Sequence, residues 1–169
     1  VGDSNLTDIA GADVRARSGG VLTVGTTAAT GLVDLDATGN LTSGTLTAAG
    51  SATLNSRADA TLGTISAASI GATVTGITAA TGLTATAGDV VVNSGGALTS
   101  TAATATGDAS FTSGGDATIG TVSAASVTAD ATGTLGATDL DATAGDIALS
   151  SGGTLTNVDA NASGNAHFA

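Results

Sequence analysis

Residues 50–106 and 107–163 are two copies of one stretch. They align at an offset of 57 without a gap, and about 30 of the 57 positions are identical. Ser66-Ala67-Ala68-Ser69 matches Ser123-Ala124-Ala125-Ser126, and Ala85-Thr86-Ala87-Gly88-Asp89 matches Ala142-Thr143-Ala144-Gly145-Asp146. Gly2–Thr7 resembles Gly107–Thr112, so residues 2–49 read as a first copy shortened by about nine residues. Residues 164–169 open a further copy. A finer step runs inside each copy. Unit starts fall near Gly31, Gly50, Ile70, Gly88, Gly107, Val127, Gly145 and Gly164, 18 to 20 residues apart. Three units make one long repeat.

Within the units the apolar period is two. Ala52 and Leu54, Val90 and Val92, Ala109 and Phe111, and Ile147 and Leu149 share one parity; Thr53, Val91, Ser110 and Ala148 lie between them. Leu62, Ile65, Leu98, Ile119, Val122, Leu155 and Val158 are further inward candidates. A unit of two or three short strands cannot bury its own apolar side. Stacking units every ~4.8 Å buries it, because each strand pairs with its equivalent above and below. The sequence therefore predicts an all-β fold, one β-solenoid over residues 1–169, with about eight and a half turns and a length near 40 Å. Small Ala, Val and Thr suit a narrow core, Gly suits corners through positive φ, and Asp and Asn suit turns through side-chain to backbone bonds.

Composition narrows the function. There is no Cys, so no disulfide scaffold or thiolate metal site. One histidine, His167, cannot make a histidine-rich zinc site. Net charge is −11, from 14 Asp against Arg15, Arg17 and Arg57. Binding to nucleic acid or to an anionic membrane needs clustered cations, which are missing. No apolar run approaches a transmembrane helix, so no membrane insertion is expected. No signal peptide is visible, which places any targeting segment in a removed leader or elsewhere. Disorder is opposed by a mean hydropathy of +0.39 and by the regular alternation.

Gly-Asp-Val-Val-Val-Asn-Ser-Gly-Gly-Ala-Leu-Thr at 88–99, Gly-Asp-Ala-Ser-Phe-Thr-Ser-Gly-Gly-Asp-Ala-Thr at 107–118 and Gly-Asp-Ile-Ala-Leu-Ser-Ser-Gly-Gly-Thr-Leu-Thr at 145–156 resemble the repeats of filamentous-haemagglutinin-like exoproteins, the secreted partners of bacterial two-partner secretion. The likeness runs through nearly the whole chain from about residue 11. It implies a right-handed parallel β-helix, export across an outer membrane, and an extracellular or cell-surface role as adhesin stalk or fibre. The family's N-terminal secretion domain is not found in these residues.

Each chemically suggestive feature has a plainer reading. The Gly-Asp pairs at 88–89, 107–108 and 145–146 could form an acidic ladder for Ca²⁺, but the calcium nonapeptide pattern is missing, and turn residues are preferred. Asp34 with Asp36, and Asp139 with Asp141, could be paired carboxylates for glycoside chemistry; without basic or aromatic company they read as a solvated face. Arg15 and Arg17 share a face and could pair with Asp13 or with an acidic neighbouring subunit, or form an exposed cationic edge that discourages wrong strand pairing. Thr-x-Thr at 45–47, 73–75, 84–86, 104–106, 132–134 and 154–156 falls at different places in successive turns, so a flat ice-binding array of these pairs is not expected. Asn5, Asn40 and Asn161 begin chance glycosylation sequons. No catalytic, cofactor-binding or metal-ligating residue is assigned, and no cofactor.

The termini show no capping helix, no Pro and no change of composition. That leaves a piece of a longer stalk, or a subunit that stacks on itself end to end. The expected partners are thus copies of itself or flanking repeats, together with a host-cell or matrix surface. The expectation is a non-catalytic structural rod or filament segment of a secreted surface adhesin. The alternative is a ligand-binding β-solenoid, for ice or for polysaccharide.

Overall fold

The computed structural model describes residues 2–169, without the side chains of Asn157 and Val158. Within them the chain forms nineteen strands and no helix. In order these are β1 (Ser4–Gly11), β2 (Val14–Ser18), β3 (Leu22–Ala29), β4 (Val33–Ala37), β5 (Leu41–Ser43), β6 (Leu46–Ala48), β7 (Ala52–Ser56), β8 (Ala60–Ala67), β9 (Ile70–Val74) and β10 (Thr78–Ala85). There follow β11 (Val90–Ser94), β12 (Leu98–Ala105), β13 (Ala109–Ser113), β14 (Ala117–Ala124), β15 (Val127–Ala131), β16 (Leu135–Ala142), β17 (Ile147–Ser151), β18 (Leu155–Ala162) and β19 (Ala166–Phe168). Every pairing is parallel and joins a strand to its equivalent one coil away. One sheet stacks the eight-residue strands, with β5 and β6 together taking one place; the other stacks nine short strands from β2 to β19. The chain is a β-solenoid of about nine turns.

The alternation of small apolar and polar residues puts one parity inside. In the short strands the first, third and fifth residues face in, as in Val90, Val92 and Ser94. The long strands change parity midway. In β8, Ala60 and Leu62 are buried, Gly63 and Thr64 both face out, and Ile65 and Ala67 are buried again. Two adjacent outward residues require the chain to turn, so each long strand bends around a third corner. The same place is Gly44-Thr45 between β5 and β6, and Gly120-Thr121 in β14. Each coil therefore has three straight arms around one core.

Inward residues stack in columns. One column is alanine from Ala29 through Ala48, Ala67, Ala85, Ala105, Ala124 and Ala142. Others alternate bulk, as where Phe111 lies between Val92 and Ala129. The inward assignments for the four apolar pairs, and for Leu62, Ile65, Leu98, Ile119 and Val122, hold in the structure. Leu155 is partly buried against the core, and the Val158 side chain lies outside the described residues. Threonine departs from its expected place: apart from Thr27 and Thr78 it is not a core residue, because its hydroxyl needs a partner that a dry column does not supply.

Register also corrects the first repeat. Ser4 pairs with Leu22 in the long-strand sheet, whereas Ala109 lies in the short-strand sheet. The likeness of Gly2–Thr7 to Gly107–Thr112 is thus not an equivalence of place. From Ser4 the coils advance 18, 19 and 19 residues to Ala60, and from there 18, 20 and 19 to Ala117. The first three coils are one residue shorter than the next three, not nine.

Three buried hydroxyls, on Thr27, Ser43 and Ser100, have no hydrogen-bond partner among the described residues. Ser43 and Ser100 occupy the same place in successive long repeats, each under an apolar residue, Leu62 and Ile119. Leaving a hydroxyl dry and unpaired costs about 1 kcal/mol or more. Ser100→Ala is expected to raise unfolding stability by about 1 kcal/mol in urea denaturation. A loss of stability would show that the hydroxyl has a partner after all.

Candidate functional site

The corners hold most of the specific polar chemistry. Ser94 ends a short strand facing in. Its Oγ lies 2.9 Å from the Gly76 carbonyl of the coil below and 3.1 Å from the Ala97 carbonyl of its own coil. Ser56 and Ser113 repeat this with Gly39 and Asp59, and with Gly96 and Asp116. Ser-Gly-Gly at 94–96, 113–115 and 151–153 is therefore a corner clasp: the hydroxyl ties the turn to the turn beneath it.

Aspartates form a second device. The Asp89 carboxylate accepts the backbone N–H of Asp108, 2.9 Å away and one coil up. Asp3, Asp13, Asp59, Asp116 and Asp146 accept likewise from Val21, Leu32, Ile77, Thr134 and Asn165. In all six cases the residue before the donating N–H is glycine: Gly20, Gly31, Gly76, Gly107, Gly133 and Gly164. A Cβ on any of these would overlap the carboxylate reaching past it. Where alanine stands instead, the bond is longer or missing. Asp59 N, after Ala58, lies 3.2 Å from Asn40 Oδ1, and Asp108 has no such bond to Ser126, which follows Ala125.

This corrects the expected reason for the corner glycines. No described residue has positive φ, glycine included. The glycines are needed for close approach between coils, not for a left-handed backbone. Hydrogen bonds donated by the backbone N–H and the side chain of Thr134 hold the Asp116 carboxyl below the ordinary carboxylate range. The contribution of that bond is thus complete above the ordinary aspartate range and is lost only as pH falls through the lower folded value.

Gly107→Ala is expected to cost about 1–2 kcal/mol, and less in an Asp89→Ala background. A double-mutant cycle in urea checks this; equal costs in both backgrounds would remove the carboxylate from the explanation.

The other singled-out residues lie on open strand faces. Arg15 and Arg17 project from β2, the edge of the short-strand sheet, 3.6 Å from the carboxylates of Asp13 and Asp34 respectively. Asp34 and Asp36 face outward on β4, and Asp139 and Asp141 on β16. Asp139 stands directly under Asp159, while Asp141 accepts a 3.1 Å bond from the Asn161 amide. The Gly-Asp pairs at 88–89, 107–108 and 145–146 sit in one set of corners; no group of three or more metal-ligating side chains converges among the described residues. His167 is exposed on β19, in register with Ala148. No cavity opens among the described residues.

The structure also shows an outward threonine surface that Thr-x-Thr spacing does not mark. Those six pairs do fall at different places, some in strands and some in corners. A single-residue column is nevertheless rich in threonine: Thr23, Thr42, Thr61, Thr99, Thr118 and Thr156 occupy the second position of the long strands. The readable signal was Thr recurring at 57-residue offsets, Thr42 with Thr99 and Thr61 with Thr118, rather than Thr repeated two residues apart.

Compared with known protein families, curated proteins and solved structures, the chain gives no significant match.

Proposed function

We infer that the chain is a non-catalytic structural rod, a segment of a secreted bacterial surface adhesin or extracellular fibre of the filamentous-haemagglutinin kind. The observation that carries this reading is one unbroken core column running through about nine coils with a 57-residue repeat. A column built from repeated coils sets length, and length is what a stalk supplies. Small side chains keep the rod slim, and corners tied coil to coil by Ser and Asp resist extension along the axis. The Gly-Asp…Ser-Gly-Gly segments support the family reading: their serines clasp the coil below, and the aspartates of two of them, Asp89 and Asp146, hold the coil above.

Among the described residues, both end coils offer unpaired strand edges for a further coil, whether a flanking repeat or a second copy. Phe168 belongs to the inward Leu149 column yet is 45% exposed, an apolar surface that another coil would cover. The test of placement is antibody against this chain on intact and permeabilised source cells. Labelling of intact cells is expected; labelling only after permeabilisation would overturn the surface assignment. Electron micrographs over a range of concentration test stacking, which requires rods that lengthen with concentration.

A further inference from the structure

We propose that the outer face of the long-strand sheet, between β3 and β14, binds ice. The inference goes beyond the structural role above and does not depend on it. Three observations meet on this face.

The first is register. In the arm after the third corner, outward hydroxyls stand two residues apart on three coils: Thr45 with Thr47, Thr64 with Ser66, and Thr121 with Ser123. On the two coils between the second and third pairs, Gly82 and Ala102 interrupt the first column, while Thr84 and Thr104 continue the second, so that Thr47, Ser66, Thr84, Thr104 and Ser123 form one unbroken column of hydroxyls. Parallel pairing fixes the coil spacing at about 4.8 Å. That repeat is near the one at which water oxygens recur on crystal faces of ice.

The second is charge. Across these coils the outward positions of the long strands hold only Thr, Ser, Gly and Ala. Carboxylates return on this sheet only at its two ends, with Asp8, Asp139, Asp141 and Asp159. On the short-strand sheet Arg15, Arg17, Asp34, Asp36 and Asp130 confine the neutral run to four strands, β7 to β13, and that run carries Asn55, Val91 and Asn93 among its outward residues. Charged groups orient water in shells that do not fit a tetrahedral lattice. A neutral face lets hydroxyls donate and accept within that lattice while methyl groups fit its hollows.

The third is that these hydroxyls are free. The corner threonines Thr86, Thr132 and Thr143 donate to carbonyls of the coil below. Among the described residues, the six hydroxyls of the three pairs above make no intramolecular hydrogen bond. Their bonding capacity is turned outward. A neutral polysaccharide would share the hydroxyl chemistry, but this face has no aromatic ring on which a sugar could stack.

The test is ice-crystal growth in solutions of the purified chain, with Thr64→Lys and Thr121→Lys on the face and Thr53→Lys on the short-strand sheet. All three positions are exposed, and circular dichroism checks that each variant keeps its strands. Faceted ice crystals and a thermal-hysteresis gap are expected for the native chain and for Thr53→Lys, with a several-fold loss in the two face variants. Unfaceted growth with no gap in the native chain overturns the proposal, as does equal loss in Thr53→Lys. Retention on a neutral glucan column without effect on ice would assign the face to polysaccharide and overturn it too.

Discussion

Phe111→Ala is expected to lower the unfolding free energy by about 3–5 kcal/mol. Phe111 is the largest fully buried side chain, 1% exposed, and it stands in a column between Val92 and Ala129. The small Ala129 above it leaves the room the ring fills. Truncation removes the ring's transfer energy and leaves a cavity that neighbouring coils cannot close, because their own hydrogen-bond ladders fix the coil spacing. At the equivalent place one long repeat earlier stands Leu54, followed by Ala72 in the same way. Phe111→Leu is therefore expected to cost only about 1 kcal/mol. Urea midpoints at unchanged slope check both. A small effect of the alanine variant would mean that the column is not packed at this level.

The second large effect concerns parity. Val92→Asp is expected to cost about 4 kcal/mol or more, enough to unfold the coils around it, whereas Asn93→Asp should be nearly neutral. Val92 is fully buried between Ala72 and Phe111, and Asn93 is exposed one residue later. A carboxylate at the first place has neither water nor a partner; at the second it has water. Circular dichroism and urea denaturation of the two variants separate these outcomes. Similar stabilities would contradict the inward assignment of the short strands.

Coil length and parity were legible because both are periodic: a 57-residue identity and a two-residue alternation admit few alternatives. Ala52, Leu54, Val90, Val92, Ala109, Phe111, Ile147 and Leu149 face in as their spacing requires. The third corner leaves only a faint signal, Gly-Thr at 44–45, 63–64 and 120–121, because it sits inside an otherwise continuous strand. The corner glycines suggest positive φ in the sequence, whereas close approach between coils is what requires them. A glycine beside a turn fits both a positive φ and a close approach, and only the coil above an aspartate tells them apart. The first repeat was misplaced for a related reason. Gly2-Asp3 and Gly107-Asp108 precede strands of different sheets, and both kinds of corner use Asp. The threonine face is hard to see in the sequence because its order runs along the solenoid axis, at 18 to 20 residues, and not along the strand.

The central claim is that equivalent residues lie over one another, coil upon coil, along a single axis. Thr42, Thr118 and Thr156 share one outward column, with Thr118 four coils and Thr156 six coils from Thr42. The chain has no native cysteine, so nitroxide labels can be placed at will. Pulsed electron-electron resonance on Thr42→Cys/Thr118→Cys and Thr42→Cys/Thr156→Cys should give backbone separations of about 19 Å and about 29 Å, in the ratio of four coils to six. Separations that fail to grow in that ratio, or broad distributions in both pairs, would contradict the stacked-coil architecture.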